Sequence, residues 1–200
     1  MNKTLRKRIV DRHSDSLKRF GYHPNALYWS NEVIQKLRFK VLSAIGVATN
    51  DSILDVGCGF ADLKTWLASQ GIKTLYTGID ISPDLIAVAK EKDGDADLFV
   101  GDLYDGAFKA LSFDWVLLSG ALNEPYNDKG KYAKKIIKEM YRICRKGVAF
   151  NLLNNKAIKA HDLQSFDANE MLEYCLTLCP DCILRDDYLD NDFTIYMRKL

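Results

Sequence analysis

Short apolar runs and amphipathic stretches take turns along most of this chain. "SILDVG" is a short apolar run ended by glycine, the pattern of a buried strand. "ADLKTWLASQG" then reads as a helix closed by Gly71. "KTLYTGIDI" is a second strand. "SPDLIAVAKEK" opens a helix with Ser82 as cap and Pro83 at the first helical position, where its missing N–H costs nothing. "DLFVGD" and "FDWVLLSG" are a third and a fourth strand, and "VAFNLLN" a fifth. Between the last two lies "KGKYAKKIIKEMYRICRK", which sets Tyr132, Ile136, Ile137, Met140, Tyr141 and Cys144 on one helical stripe. "FDANEMLEYCLTL" begins with Asp167 and Glu170 at capping-box spacing. "CILRDDYL" and "FTIYMRKL", split by the polar "DND", read as an antiparallel hairpin.

Alternation of this kind predicts a doubly wound α/β fold: a mostly parallel sheet with helices on both faces. The terminal hairpin adds an antiparallel edge. Upstream, "NEVIQKLRFKVLSAI" places Val33, Ile34, Leu37, Val41, Leu42 and Ile45 on one helical face, with Asn31 or Ser30 as cap. With no linker and no repeat, residues 1–200 are expected to form one domain. Residues 1–48 would be an N-terminal helical extension and residues 49–200 the core.

No apolar run approaches the roughly 18 residues of a membrane span, and the basic N-terminus lacks the apolar segment of a secretory signal. The expected compartment is the cytoplasm, and no membrane partner is expected. Net charge is +1, which gives no global pull toward nucleic acid. Two basic clusters stand out. Residues 1–20 carry seven Lys/Arg against Asp11 and Asp15, and residues 129–146 carry eight against Glu139. The second is the solvated face of the apolar stripe already noted. The odd count of five cysteines points to reduced thiols. The single C-x-x-C, Cys179 to Cys182, lacks the ligands of a structural zinc site, so no metal is expected.

The chemistry is carried by "ILDVGCGFAD", residues 53–62. Its loop follows the first core strand, at the carboxyl end where open parallel sheets bind ligands. It is not a P-loop, because no Lys–Ser/Thr follows the glycines. A dinucleotide loop needs a third glycine where this chain has Asp62, and a carboxylate there repels a pyrophosphate. Asp55 adds a second acid. The pattern suits a ligand that bears an amine.

"LDVGCGFA" resembles motif I of the class I S-adenosylmethionine-dependent methyltransferases, with Ala61 in place of the last glycine. The resemblance covers about residues 50–200, and its order of elements matches that family's seven-stranded Rossmann-like sheet. It implies S-adenosylmethionine as cofactor, with Asp55, Gly57, Cys58 and Gly59 around it. Asp80, with Ile81 after it, stands where the family binds the ribose hydroxyls. Asp102 and Leu103 stand where it meets the adenine amino group and ring. Ser119, at the end of the fourth strand, stands where methionine moiety and acceptor meet. Residues "LYWSNEVIQKLRF" resemble, more loosely, a group of small bacterial methyltransferases that carry a Trp and a Gln/Arg-containing helix before the core. Arg38 in that helix is a candidate partner for the cofactor's carboxylate.

Such a transferase works mainly by positioning, so no catalytic triad is expected. Weak candidates beside the acceptor are Asn123 and Glu124 in "NEPY", which is out of register with the N-P-P-Y motif of amine methyltransferases, and His13. His161 reads as a surface or capping residue. Tyr22, Tyr28 and Trp29 offer an apolar wall, and residues 1–30 are a candidate lid. The expected acceptor is a small molecule. A binding module of this fold without turnover, and a methyltransferase acting on RNA or protein through the basic N-terminus, are the alternatives.

Overall fold

A computed structural model of the chain describes residues 1, 3–106, 108–156 and 163–199. Helix α1 (Lys3–Phe20), a 3-10 turn (Pro24–Leu27) and helix α2 (Glu32–Ser43) precede the core. The core runs β1 (Ser52–Val56), α3 (Asp62–Ser69), β2 (Leu75–Asp80), α4 (Pro83–Lys92), β3 (Asp97–Val100) and β4 (Phe113–Ser119). It continues with α5 (Lys131–Ile143), β5 (Cys144–Leu153), α6 (Ala168–Leu176), β6 (Asp181–Arg185) and β7 (Asp192–Arg198). The strands form one seven-stranded sheet in the order β3-β2-β1-β4-β5-β7-β6. β1 to β5 are parallel, and β7 runs antiparallel to both β5 and β6. This is the doubly wound sheet expected. The hairpin differs in detail: strand β6 stops at Arg185, so "DDYL" belongs to the connection. Arg185 donates to Asp187 there at 2.8 and 3.0 Å, which turns the chain before β7.

Strand alternation explains the two cores. Leu54, Val56, Val116 and Leu118 face one side and pack with Ile136, Ile137 and Met140 of α5 and Met171 of α6. Ile53, Trp115 and Leu117 face the other side, against Leu42 of α2, Leu63 and Leu67 of α3, and Ile86 of α4. Successive side chains of a strand point to opposite faces, so strands with apolar residues at every position are covered on both. Each such Leu or Ile contributes about 1.5–3 kcal/mol when fully buried.

Helix ends follow their capping residues. Asn31 accepts from the Ile34 amide at 2.9 Å, and Ser82 from Leu85 at 3.4 Å with Pro83 next to it. Asp167 accepts from the amides of Asn169 and Glu170. On α5, Ile136, Ile137 and Met140 are buried while Lys131, Lys135 and Lys138 are exposed, as the stripe predicts.

β1 sits between β2 and β4, and the chain order reverses there: β2 and β3 lie on one side, β4 and β5 on the other. That reversal opens a crevice at the carboxyl ends of β1 and β4, where a ligand can reach the backbone of both following loops. Among the described residues no helix is long and apolar enough to cross a membrane.

Candidate active site

A cavity of about 300 Å³ lies at this crevice. Its floor is the loop after β1, with Asp55, Gly57, Cys58, Gly59 and Asp62. Asp80 at the end of β2 with Ile81 after it, Asp102 and Leu103 after β3, and Ser119 at the end of β4 line it too. The structure thus brings together all the cofactor candidates, including Arg38 from α2.

The glycine loop is tight for reasons of backbone shape and space. Gly57 (φ +73°) and Gly59 (φ +53°) are left-handed, a region costly for other residues. A Cβ on Gly57 would stand 2.2 Å from Cβ of Ala121, and one on Gly59 2.9 Å from Leu27. Ala61 is also left-handed (φ +58°), so the position of the third glycine keeps the shape without keeping the residue. Cys58 turns its thiol into the core: a Cβ on Gly78 would meet its sulfur at 2.8 Å. Burial first, then the nearby Asp80 and Asp55, push that thiol well above its usual range, which makes it inert.

The acids differ in their surroundings. Asp80 accepts from the Gly59 amide at 3.0 Å and from the Ser82 amide at 2.9 Å, fixing the loop to the start of α4. Each oxygen keeps a second lone pair for a ligand. Asp102 accepts from the amides of Tyr104 (2.8 Å) and Asp105 (3.2 Å) and lies beside Tyr132. Asp55 is buried and accepts from the Tyr76 hydroxyl at 2.6 Å. Burial lifts its carboxyl to about 7, against the Tyr76 hydrogen bond and with help from Asp80 and Asp62.

Asp62 corrects one part of the sequence argument. It lines the cavity, but its carboxylate accepts from Tyr22 (2.7 Å), Gln35 (3.1 Å) and Lys92 (2.7 Å). Its charge is met by Lys92 and its bonds tie together α2, α4 and the segment after α1. It therefore acts on the ligand less directly than the glycine-loop comparison assumed. Arg38 is likewise engaged. It forms a buried ion pair with Asp192, its guanidinium lies 4.7 Å above the Trp29 ring, and it faces Gly120. Burial raises the Asp192 carboxyl to about 6, against the pull of Arg38.

Among the acceptor candidates, Asn123 is a structural pin. Its side chain donates to the Gln164 carbonyl at 2.9 Å, and its own carbonyl accepts from the Gln164 amide at 2.7 Å. Ser119 donates to Asn151 at 3.1 Å. Glu124 is buried and accepts from Arg12 at 3.0 Å, with His13 Nε2 at 3.7 Å. His23 caps the 3-10 turn, accepting from the Asn25 amide at 3.2 Å, and His161 lies outside the described residues.

Helix α1 is laid across the cavity. Ile9 and His13 line it, followed by Tyr28 and Trp29. The helix is gripped by ion pairs from Arg6 to Asp105 and from Arg12 to Glu124, by Arg8 donating to the Pro125 carbonyl, and by Ser14 donating to Asp84. Three of the basic residues of the N-terminal cluster are thus used inside the molecule. Arg12 and Tyr132 carry no motif that marks them as site residues, and Gln35 and Tyr126 are marked only by the stretches they lie in. Tyr132 lies on the apolar stripe of α5, and only its position in the first turn of that helix hints that it reaches Asp102 after β3. Among the described residues no group of three or more His, Cys, Asp or Glu is arranged to hold a metal, and all five cysteines are free thiols.

A sequence profile for a methyltransferase domain matches residues 53–147. A protein of Mycobacterium tuberculosis described as a methyltransferase is 28% identical over 164 residues, 78% of this chain and 97% of that one. The 18S rRNA (guanine(1575)-N(7))-methyltransferase of Saccharomyces cerevisiae is 27% identical over 122 residues, 58% of this chain. The chain spans only 44% of that yeast enzyme's length. In fold, the crystal structure of magnesium protoporphyrin IX methyltransferase from Synechocystis PCC 6803 with bound S-adenosylhomocysteine matches with a TM-score of 0.68, 15% identity and 100% of both chains covered.

Proposed function

Because the chain belongs to the class I S-adenosylmethionine-dependent methyltransferases, we propose that it methylates a small-molecule acceptor in the space beneath α1. One observation carries the choice of acceptor. The cavity is roofed by Ile9, His13, Tyr28 and Trp29, and it measures about 300 Å³. A roof of this kind suits a compound that enters whole and is shut away from water. It does not suit a long polymer, and three of the seven basic residues of α1, Arg6, Arg8 and Arg12, are taken up by Asp105, the Pro125 carbonyl and Glu124.

In this reading Asp80 binds the ribose hydroxyls, and Asp102 accepts from the adenine amino group beside Leu103. The backbone of Gly57 to Gly59 would hold the methionine part, Asp55 would meet its ammonium, and Arg38, beside its pair with Asp192, would meet its carboxylate. The bound cofactor supplies an electrophilic methyl on a sulfonium. The residues contribute alignment, which is worth about 7–11 kcal/mol in well-oriented reactions. The free thiols suit the cytoplasm as its site of action.

The test is transfer of label from methyl-tritiated S-adenosylmethionine into cell extract separated into metabolite, RNA and protein fractions. Label should enter the metabolite fraction. Label confined to RNA or protein overturns the choice of acceptor, and no label in any fraction, with cofactor bound, points to a module without turnover.

A further inference from the structure

Glu124 and His13 form a pair that the cofactor site does not use. Glu124 lies in the connection after β4 and His13 on α1. The Glu124 side chain is nearly buried, so its charge needs partners. Its Oε2 takes a hydrogen bond from Arg12 at 3.0 Å, and its Oε1 is turned to His13 Nε2 at 3.7 Å. The other imidazole nitrogen, Nδ1, is buried and has no hydrogen-bond partner among the described residues. The ring is also set edge-on against Tyr28, with centroids 5.4 Å apart, and it lines the cavity.

A histidine that only helps to dock a helix has both nitrogens satisfied. Here one faces a carboxylate and the other is buried without a partner, in a ring that lines the cavity. A carboxylate behind one nitrogen holds the ring's orientation and favours the protonated form, which makes the other nitrogen a better base. Among the described residues, Glu124 after β4 and Tyr28 after α1 face the ring, and Arg12 on its own helix pairs with Glu124 and lies over Tyr28. Elsewhere in the cavity wall stand Arg38, Asp55, Asp80, Asp102 and Tyr126.

We propose that His13 is the proton acceptor of the reaction, with Glu124 as its positioning residue, and that the acceptor is a hydroxylated compound of the phenol or enol type. The inference rests on the methyltransferase reading and deepens it. A neutral amine attacks with its free lone pair and needs no base first. A hydroxyl must lose its proton as it attacks. The proton passes from the acceptor oxygen to His13 Nδ1. As the oxygen–methyl bond forms, the methyl–sulfur bond breaks and its electron pair stays on sulfur. One proton is therefore released per turnover, and the imidazolium that carries it shares the Glu124 carboxylate with Arg12. Because His13 rides on α1, the base is in place only when the roof is seated.

The probe is 4-nitrophenol, whose ionised form is yellow, added to the protein saturated with S-adenosylhomocysteine. The complex should ionise bound probe at a pH at least about one unit below its value in water, a tenfold gain in ionised fraction. His13→Gln should lose that gain while binding S-adenosylhomocysteine as before. Glu124→Gln should lose most of that tenfold gain, and Glu124→Asp should restore part of it, while both bind S-adenosylhomocysteine as before. Probe that is not bound, is bound neutral, or is ionised equally by His13→Gln overturns the proposal. A full gain retained in Glu124→Gln removes Glu124 from it. If the wild type fails to bind S-adenosylhomocysteine at all, the methyltransferase reading falls with it. Intact cofactor binding with no ionisation sinks only the role of His13.

Discussion

The Gly59 amide donates to Asp80 Oδ2 at 3.0 Å, so the acid that ends β2 also holds the glycine loop after β1. Ligand and loop therefore share one carboxylate. Asp80→Ala should weaken S-adenosylmethionine binding roughly 10- to 100-fold, because hydrogen bonds to a charged group are worth about 1.5–3 kcal/mol. It should also lower the melting temperature, since the amides of Gly59 and Ser82 lose their acceptor. Asp102→Ala should cost less affinity, because contact with Leu103 remains. Calorimetry and thermal melts on the two variants check this. An unchanged affinity in folded Asp80→Ala would reduce Asp80 to a loop anchor.

Asp55 gives a pH prediction. Burial, helped by Asp80 and Asp62, raises its carboxyl from 3.8 to about 7 in the folded protein. The unfolded chain loses this proton at lower pH than the folded one. Asp55 therefore contributes most to stability below 3.8, and that contribution is lost as pH rises toward about 7. A ligand ammonium beside Asp55 favours the ionised form. Cofactor binding below pH 7 should then release a proton and tighten as pH rises. Calorimetry in two buffers of different ionisation enthalpy reads the release directly. Binding without proton release in wild type, or the same release in Asp55→Asn, would place the ammonium elsewhere.

The glycine loop separates shape from space. Gly57→Ala sets a Cβ 2.2 Å from Ala121 in a left-handed backbone, so it should cost about 2 kcal/mol or more and abolish tight cofactor binding. Ala61→Gly relieves left-handed strain of about 1 kcal/mol but uncovers a buried methyl worth about 0.8 kcal/mol. It should be nearly neutral. Urea unfolding curves for both variants test the contrast, and equal losses at the two positions would refute it.

Helix α1 is held to the core in part by an exposed ion pair, Arg6 to Asp105, beside the buried Ile9. Exposed pairs weaken with salt. Amide exchange in residues 3–20 should speed up from low to high salt in the free protein, while β1 and β4 stay protected. It should slow when cofactor and acceptor are both bound, as a lid requires. Exchange that is equally slow under all these conditions would make α1 a fixed part of the fold.

The order of strands and helices was legible in the sequence because period and capping are local. Ser82–Pro83, Asn31 and Gly71 mark ends within a few residues of what they act on, and alternating apolar residues mark a strand whatever it pairs with. The ends of β1, β2 and β3 were legible too, so Asp55, Asp80 and Asp102 could be named. What an acid faces is not local. From the sequence alone Asp62 faces the ligand; the fold turns it to Tyr22, Gln35 and Lys92. Arg38 reads as a solvent-facing helix residue or a cofactor partner, and the fold pairs it with Asp192 from the far end of the chain. His13 and Glu124 sit in unrelated segments and meet only because α1 crosses the cavity. Periodicity tells which face of an element is apolar and where it stops. Which charges then meet across the crevice is decided by packing, because a buried charge must find a partner and the fold alone determines which one is within reach.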